Sequence, residues 1–433
     1  MKHKLLIIVT ALFSIHNLAE QEKRTITLKE AIDLTLAYNK TLKINKTKIE
    51  DAAAAVKEAY EKKLPDAGIS GSYLYIPVQP TINFKGRLDT SATPNINQAI
   101  YGIASVSVPI YSGGRLKYGL ESAKYLEEAV KLDADNDRDL VVLNVTNACI
   151  NLYKAYQAIV LVKENLATSQ QRVKDLTNLE KNGLLARNDL MKAELQSSNI
   201  ELSLLDAESN YKIASVNMDL MMGLPEQTEL VPDRSGLALP TTVKTLDEYE
   251  QDALQNRKDV TAISYRKKAA TTGIKTAKSD YYPSIGFTGG YIAADIPSFV
   301  SITNVINIGI GVKYDLASLW KTKTKVQQAK IKEQQLQLNE EMMTDNVRMQ
   351  INQAYQAYLV SVKKIQVYEK AVLQAEENYR ITKNKFDNSL TTTTELLDAD
   401  VALLQTKLSV TNSKADSFLA YNKLLQVTGS INK

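Results

Sequence analysis

The residue types that most often carry catalysis are nearly absent from this sequence of 433 residues. Its two histidines, His3 and His16, lie in the N-terminal segment, so removing that segment would remove the commonest general base and metal ligand. Cys149 is the sole cysteine, which excludes an intrachain disulfide and a cysteine cluster for zinc. The stretch SGGR at 112–115 is too short to cradle a phosphate, and the carboxylates are scattered along helical patterns. The sequence therefore predicts no enzyme, no cofactor and no metal site.

The first residues have the features of an export signal. Lys2 and Lys4 are positive, and the apolar run from Leu5 to Phe13 is too short to span a bilayer. We expect residues 1–19 to be a cleaved signal peptide. No later stretch reaches the length of a transmembrane helix. The formal net charge is +4, which gives no electrostatic reason to expect nucleic acid as a partner.

The rest of the sequence consists of two similar copies in tandem. Landmarks recur 218 residues apart over the first part of each copy, beginning with Thr27 and Thr245. After a shorter loop in the second copy they recur 206 residues apart, beginning with Asn182 and Asn388. Matched residues in one order over this length indicate two structural repeats. The predicted boundaries are a first repeat at 20–223, a linker at 224–244, a second repeat at 245–429 and a tail at 430–433.

Each repeat has the same predicted order of elements. A first helix ends before Pro65 or Pro283, two strands follow, and a very long helix runs to a turn from which a return helix begins. The predicted helices are 28–63, 113–181 and 190–222, then 246–281, 319–387 and 396–428. The residues predicted to share one strand face are Ile69, Gly71, Tyr73, Ala104, Val106 and Val108, then Ile285, Phe287, Gly289, Tyr291, Ile306, Ile308, Ile310, Val312 and Tyr314.

The long helices carry a seven-residue period. In the second copy, apolar or small residues step alternately by four and three from Val347 to Tyr379, and Val145 to Tyr156 repeat the start of this run. Such a period predicts left-handed supercoiling against neighbouring helices. At ~1.5 Å per residue each long helix would span roughly 100 Å. An extended coiled-coil architecture is therefore favoured over a globular one.

The residue pattern of the four predicted strands indicates that this part of the chain lies in a membrane. One face is apolar and the other is small and polar, which is typical of a transmembrane β-barrel. A soluble sandwich is the alternative, but four strands are few for one. They are also too few to close a barrel, and open strand edges cannot lie in lipid. Two chains would give a filled barrel of eight strands and three would give twelve with room for a channel, so we expect a homotrimer in contact with outer-membrane lipid. Residues 77–98 and 294–304 are the predicted outer loops.

In this layout the chain resembles the TolC-type outer-membrane efflux proteins over nearly all of its length after the leader. The resemblance rests on the duplication, on VPIYSGGR at 108–115, and on NGLLARND at 182–189 followed by Leu190 and Ala193. It implies a mainly α fold, with a coiled-coil α-barrel and a twelve-stranded β-barrel shared by a trimer. It also implies a passive exit duct of a tripartite efflux or type I secretion system. The implied partners are a periplasmic adaptor protein and an inner-membrane transporter of the RND or ABC type.

Two matched turns are the expected docking surface, because in this family the helix–turn–helix ends meet the adaptor. Small residues could allow close backbone approach there, and the leucines could offer an apolar contact. Good turn chemistry alone would explain the asparagine, glycine and serine, but not a leucine at the same place twice. The residues expected to dock are Asn182, Gly183, Leu184, Asn388, Ser389 and Leu390.

The resemblance further implies a gate at the periplasmic end. Glu395 and Asp398 match the family's acidic rings, and Asp189 matches the acid that accepts a tyrosine link. Phe386 and Thr391 stand where the linking tyrosine and arginine would be, so both links are absent. We therefore expect a cation-selective duct whose closed state is held by helix packing.

Two other protein classes compete with the duct. A periplasmic adaptor also forms helical hairpins, but it would need a lipoyl-like β-domain flanking one hairpin. A structural coiled-coil protein of the cell envelope would explain the seven-residue period but neither the strands nor the export signal.

Overall fold

The computed structural model describes residues 23–78, 96–233 and 242–431. The predicted signal peptide and most of the predicted loop at 77–98 lie outside these ranges. The helices are α1 (Leu28–Tyr38), α2 (Lys40–Glu61), α3 (Arg115–Lys181), α4 (Arg187–Met222), α5 (Leu246–Asn256), α6 (Lys258–Lys278), α7 (Ser318–Asp387) and α8 (Thr393–Val427). The strands are β1 (Lys23–Ile26), β2 (Asp66–Tyr75), β3 (Gln98–Ser112), β4 (Glu229–Pro232), β5 (Ser284–Ile296) and β6 (Val300–Lys313).

The chain divides into two compact units, each of which takes residues from both predicted repeats. The helical unit comprises Met1–Asn45, Ala134–Lys258 and Thr344–Lys433. The sheet unit comprises Lys46–Asp133 and Asp259–Met343. Across the described ranges, every helix is too short or too polar to cross a membrane.

The first helix of each repeat is broken, which corrects the prediction of single helices at 28–63 and 246–281. Asn39 has a non-helical conformation, and its side-chain Oδ1 accepts hydrogen bonds from the N–H groups two and three residues later, at 2.8 and 3.2 Å. Asn39 therefore ends α1 and caps α2. Arg257 has a similar conformation between α5 and α6, where its guanidinium donates to the carbonyl oxygen of Val427 at 3.2 Å. The long and return helices begin and end within three residues of the predicted positions.

Four antiparallel strands form the sheet of the sheet unit, in the order β2–β3–β5–β6. Ile69 lies opposite Ala104, Val106 opposite Gly289, and Phe287 opposite Ile310. Residues directly opposite one another point to the same side of a sheet, so the predicted apolar face is confirmed. Along β6 the apolar side chains of this face are about 70% exposed, at Ile306, Ile308, Ile310 and Val312.

The second predicted outer loop, 294–304, is mostly strand. β5 continues to Ile296 and β6 begins at Val300, with Ala294 paired to Ile302. Only residues 297–299 remain for the turn, where Ser298 has a positive φ of 64°. The prediction was too long because the two ends of a hairpin can pair through residues that show no clean alternation, here after a register shift at Ile292.

The predicted linker at 224–244 contains part of the fold. β4 pairs in parallel with β1, with Lys23 opposite Glu229 and Ile26 opposite Pro232. Leu230 is fully buried, and its carbonyl oxygen accepts a hydrogen bond from the Tyr211 hydroxyl at 2.5 Å. This segment is therefore a packed part of the helical unit, at least as far as residue 233.

The seven-residue period marks the packed face of the long helices. Val347 and Ile351 of α7 are fully buried, as are Val145 and Leu152 of α3. In α3 these residues pack against Met218 and other apolar residues of α4. The period thus identified the buried face of both long helices from the sequence.

Two helical hairpin ends as the candidate functional site

The two hairpin ends are closed by the same hydrogen-bonded turn. The Leu184 N–H donates to the carbonyl oxygen of Leu179 at 2.9 Å, five residues back. The Leu390 N–H donates to the carbonyl oxygen of Lys385 at 2.7 Å, also five residues back. In both turns the preceding residue donates to the carbonyl three positions earlier, at 2.9 Å. This pair of bonds is the Schellman motif, which satisfies the last carbonyls of α3 and α7.

The turn motif explains the small residues at the two ends. Gly183 has a φ of 71° and Ser389 a φ of 60°, the left-handed conformation that the motif requires. A Cβ atom added at Gly183 would meet nothing within 4 Å, so the backbone conformation and not space within the chain favours glycine there. Close approach to a partner, which the sequence suggested, stays a prediction.

The paired asparagines also have one structural role. The Asn182 side-chain amide donates to the carbonyl oxygen of Asn178 at 2.7 Å. The Asn388 amide makes the same bond to Asn384 at 2.8 Å. Each asparagine thereby donates to a carbonyl in the last turn of its helix, which is a reason for it within the chain.

The paired leucines have no such internal role. Leu184 is 73% exposed and Leu390 is 75% exposed, although Leu190, only a few residues from Leu184, is almost fully buried. Turn formation uses their backbone N–H groups and leaves both side chains in solvent. An apolar side chain presented at the same place on two equivalent turns is a candidate contact for a partner.

Next to the two hairpin ends lies a small apolar cluster that joins the two hairpins. Leu176, Leu190, Ala193 and Leu397 are its buried members, and Phe386 packs against them. Phe386 therefore acts as an apolar packing residue. A phenylalanine ring fits an apolar cluster of this kind, whereas the hydroxyl of a tyrosine would need a polar partner there.

The first repeat neutralises its acid near the turn. Asp189 accepts a hydrogen bond from the Lys192 ammonium group at 3.1 Å, and Lys192 also reaches the Thr394 hydroxyl on α8 at 3.2 Å. Asp189 is thus paired with a lysine, and the structure brings neither Phe386 nor Thr391 into a polar contact with it. Thr391 itself is half-buried and lies two residues before the start of α8.

The second repeat leaves two acids together. Glu395 and Asp398 lie three residues apart on α8 and are both exposed. They occupy the positions equivalent to Asp189 and Lys192, 206 residues earlier, so an acid has replaced the neutralising lysine. In the parts of the chain that the structure describes, neither acid forms an ion pair. The Thr392 hydroxyl accepts from the Glu395 N–H at 3.3 Å and so caps the helix that presents them.

A buried polar network that was not predicted from the sequence links three helices. The Arg172 guanidinium of α3 donates to Asp400 of α8 at 2.9 Å and to the Tyr379 hydroxyl of α7 at 3.0 Å. The Asn165 amide donates to the other oxygen of Asp400 at 3.2 Å. Burial opposes the charge on Arg172, but its bonds to Asp400 and Tyr379 raise the pKa of Arg172. No repeat or period pairs these residues, so the sequence carried no signal for the network.

No cluster of three or more histidine, cysteine or acidic residues capable of holding a metal occurs among residues 23–78, 96–233 and 242–431. Cys149 is partly buried, and burial raises the pKa of its thiol to about 12. The thiolate form is therefore negligible at neutral pH, which agrees with a packing role for Cys149.

The chain matches known proteins over most of its length. The family described as "Outer membrane efflux protein" matches residues 31–224 and 250–430. The outer membrane protein TolC of Vibrio cholerae is 21% identical over 299 residues, covering 68% of each chain. The nodulation protein T of Rhizobium leguminosarum bv. trifolii is 23% identical over 390 residues, covering 88% of this chain and 81% of its own.

Solved structures with the same fold are outer-membrane channels. CusC superposes with a TM-score of 0.78 at 19% identity, over 93% of this chain and 92% of its own. The Campylobacter jejuni CmeC outer membrane channel superposes with the same TM-score at 17% identity, over 93% of this chain and 86% of its own. These channels share the mainly helical fold with its smaller sheet. The chain belongs to the outer membrane efflux protein family.

Proposed function

We propose that this chain forms a homotrimeric exit duct in the outer membrane. The duct passively conducts substrates that a periplasmic adaptor protein and an inner-membrane transporter of the RND or ABC type deliver. Membership of the outer membrane efflux protein family supports a channel at this location. The tripartite efflux or type I secretion role, the trimer and the partners are the proposed steps beyond it.

The four-stranded sheet is the observation that carries the proposal. Its β6 strand exposes a row of isoleucines that a soluble protein would bury, and its outer strands β2 and β6 have no further strand partner among the described residues. An open edge leaves N–H and C=O groups unpaired, which lipid cannot tolerate. Pairing β6 of one chain with β2 of the next satisfies both edges. Three chains then close a barrel of twelve strands with room for a channel.

The helical unit supplies the periplasmic part of the proposed duct. Its two hairpin ends present Leu184 and Leu390 on the same capped turn, so a ring of chains repeats one contact many times. A partner built from repeated subunits can dock on such a ring. We propose the adaptor as this partner.

Glu395 and Asp398 form the proposed periplasmic gate. A threefold axis brings three copies of each acid near one another, and like charges at short range attract cations or protons. Asp189 is neutralised by Lys192, so the second repeat alone supplies the charge. Phe386 and Thr391 hold no polar link across the gate, and packing of the long helices keeps the duct closed.

Fractionation of cells that express the full chain tests the proposal. A duct with an exposed apolar sheet should appear in the outer-membrane fraction and require detergent for release, and chemical cross-linking in detergent should give trimers. A periplasmic adaptor or a structural coiled-coil protein would be released without detergent. Recovery in the soluble periplasm, or monomers alone after cross-linking, would reject the duct.

A further inference from the structure

The sheet unit contains a polar cavity where its strands meet the beginning of α7. The cavity has a volume of about 310 Å³. It is lined by residues from the end of β3, the beginning of α3, the connection from α6 to β5, the end of β6 and the beginning of α7. The hairpin ends of the proposed duct lie in the helical unit, so this cavity is a separate feature. It includes Ser112 and Arg115 of the SGGR stretch, which alone is too short for a phosphate cradle.

Positive charge dominates the lining. Four basic residues line the cavity, and of these Lys325 pairs with Asp280 at 2.7 Å. The other three, Arg115, Lys313 and Lys321, form no ion pair in the parts of the chain that the structure describes. The second acid, Asp315, accepts a hydrogen bond from the Ala317 N–H at 3.0 Å. Two acids among four bases leave the cavity with an excess of positive charge, which favours an anion.

Two buried hydroxyl groups in the lining have no hydrogen-bond partner. Ser318 is 6% exposed and Thr322 is 1% exposed, and the hydroxyl oxygens of both are unpartnered among the described residues. Buried polar groups without partners are rare in folded proteins, and an unoccupied ligand site is one reason for them. Both residues lie in the first two turns of α7, where the helix dipole also favours negative charge.

We propose that this cavity binds a phosphate group. A phosphate offers several strong acceptor oxygens, while the lining offers two hydroxyl donors, a guanidinium fork and ammonium groups. Ser318 and Thr322 then gain the partner that the protein does not supply. Arg115 and Lys321 provide the charge that holds the anion.

The phosphate has two chemical sources, a phospholipid headgroup or free phosphate. Leu316, Leu319 and Trp320 are 58–65% exposed and flank the lining residues in sequence. Tryptophan and basic residues together are typical of the membrane–water interface, where a headgroup would enter the cavity and its acyl chains would lie on the apolar residues. Experiments with both sources distinguish them.

Trp320 makes the test direct because it is the only tryptophan in the sequence. The full-length protein in a neutral detergent is titrated with inorganic phosphate at constant ionic strength. A second titration uses short-chain phosphatidylglycerol, with phosphatidylcholine as the zwitterionic comparison. Saturable change in Trp320 fluorescence gives the dissociation constant. Saturation by both ligands shows that phosphate alone is sufficient, whereas saturation by phosphatidylglycerol only assigns the lipid.

Matched variants test the residues. Arg115→Gln with Lys321→Gln should weaken binding tenfold or more, because charge-assisted hydrogen bonds are lost. Ser318→Ala with Thr322→Val should also weaken it while conserving volume and charge, and so serves if the first variant folds poorly. Lys323→Gln removes an exposed α7 charge outside the cavity and should leave affinity unchanged.

If neither inorganic phosphate nor phosphatidylglycerol gives saturation, the phosphate site is overturned. Equal weakening by Lys323→Gln and by the Arg115 and Lys321 substitutions would also overturn it, because the effect would then be general surface charge. Binding is measured without any export assay, so failure here leaves the proposed duct untouched.

Discussion

Arg172 and Asp400 are 228 residues apart in the chain, yet their side chains form a 2.9 Å ion pair between α3 and α8. The side chain of Arg172 is 9% exposed and that of Asp400 is 4% exposed. Lys154 and Asp416 join the same two helices at 2.7 Å, but their side chains are 28% and 53% exposed. One pair of helices thus carries a buried ion pair and an exposed one.

Breaking the buried pair should destabilise the protein strongly. Asp400→Ala leaves the Arg172 charge buried without its acid, a loss of about 3–5 kcal/mol. The exposed pair serves as the control, since Asp416→Ala should cost less than about 1 kcal/mol. Thermal unfolding followed by helical circular dichroism compares them. Equal falls in the midpoint for both variants would show that burial of Arg172 and Asp400 has no energetic consequence.

The paired leucines should be required for export but not for assembly. Leu184→Asp with Leu390→Asp places charge where an apolar contact is expected, so export should fall while trimer yield stays normal. The control is Thr168→Asp with Gln374→Asp, which adds the same two charges at equivalent exposed positions of the two repeats. Export by the leucine variant at the wild-type rate would exclude the two hairpin ends as the docking surface.

The two unpaired acids of the second repeat should set ion selectivity. In planar bilayers, Glu395→Ala with Asp398→Ala should abolish cation preference and block by multivalent cations, because the charge near the axis is lost. The control removes the equivalent neutral pair by Asp189→Asn with Lys192→Gln and should leave both properties intact. If both variants conduct like the wild type, the acidic gate is wrongly placed.

Asp219 should make stability depend on pH. It is fully buried with both carboxylate oxygens unpartnered, and burial, with the negative charge of Glu226, raises the pKa of Asp219 to about 6. The folded state therefore holds this proton to a higher pH than the unfolded state, whose carboxyl titrates near 4. The free energy of unfolding should fall as pH rises from about 4 to 6, by roughly 3 kcal/mol at most from this group.

Substitution of Asp219 isolates this contribution. Asp219→Asn should raise the unfolding midpoint relative to the wild type at pH 7.5 and lose that advantage at pH 4. Asp219→Leu imitates the second repeat, which has Leu425 at the equivalent position. Asp206→Asn, at an exposed acid of the same helix, should show no such pH-dependent difference. A gain for Asp219→Asn that is equal at both pH values would rule out titration as its cause.

Local patterns in the sequence predicted most of the fold. The alternation of apolar with small polar residues predicted all four strands of the four-stranded sheet, and the seven-residue period predicted the buried faces of α3 and α7. Both patterns could be read from the sequence because each depends on residues that are near one another in the chain. The break at Asn39 was missed since helical spacing continues across it. The pairing of β1 with β4, from Lys23 to Glu229, was missed because strands of four residues carry little periodicity.

The paired leucines of the candidate site were predictable because they repeat, and its acids were predictable only through the family resemblance. Leu184 and Leu390 were found because the chain presents the same turn twice, and the structure leaves both exposed. Lys192 was not predicted as the partner of Asp189, and Arg172 was not predicted as the partner of Asp400. Such pairings depend on which helices are neighbours in space, which one sequence does not reveal.

Engineered disulfides can show whether the sheet edges close between chains. In a Cys149→Ala background, one cysteine replaces Ser72 on β2 and another replaces Asn307 on β6, with neighbouring positions two residues away as alternatives for register. After oxidation in outer membranes, a denaturing gel counts the joined chains. Closure among three chains should give a series that ends at three, the last a closed ring. Monomers alone, a series that ends at two, or one that continues beyond three would contradict it.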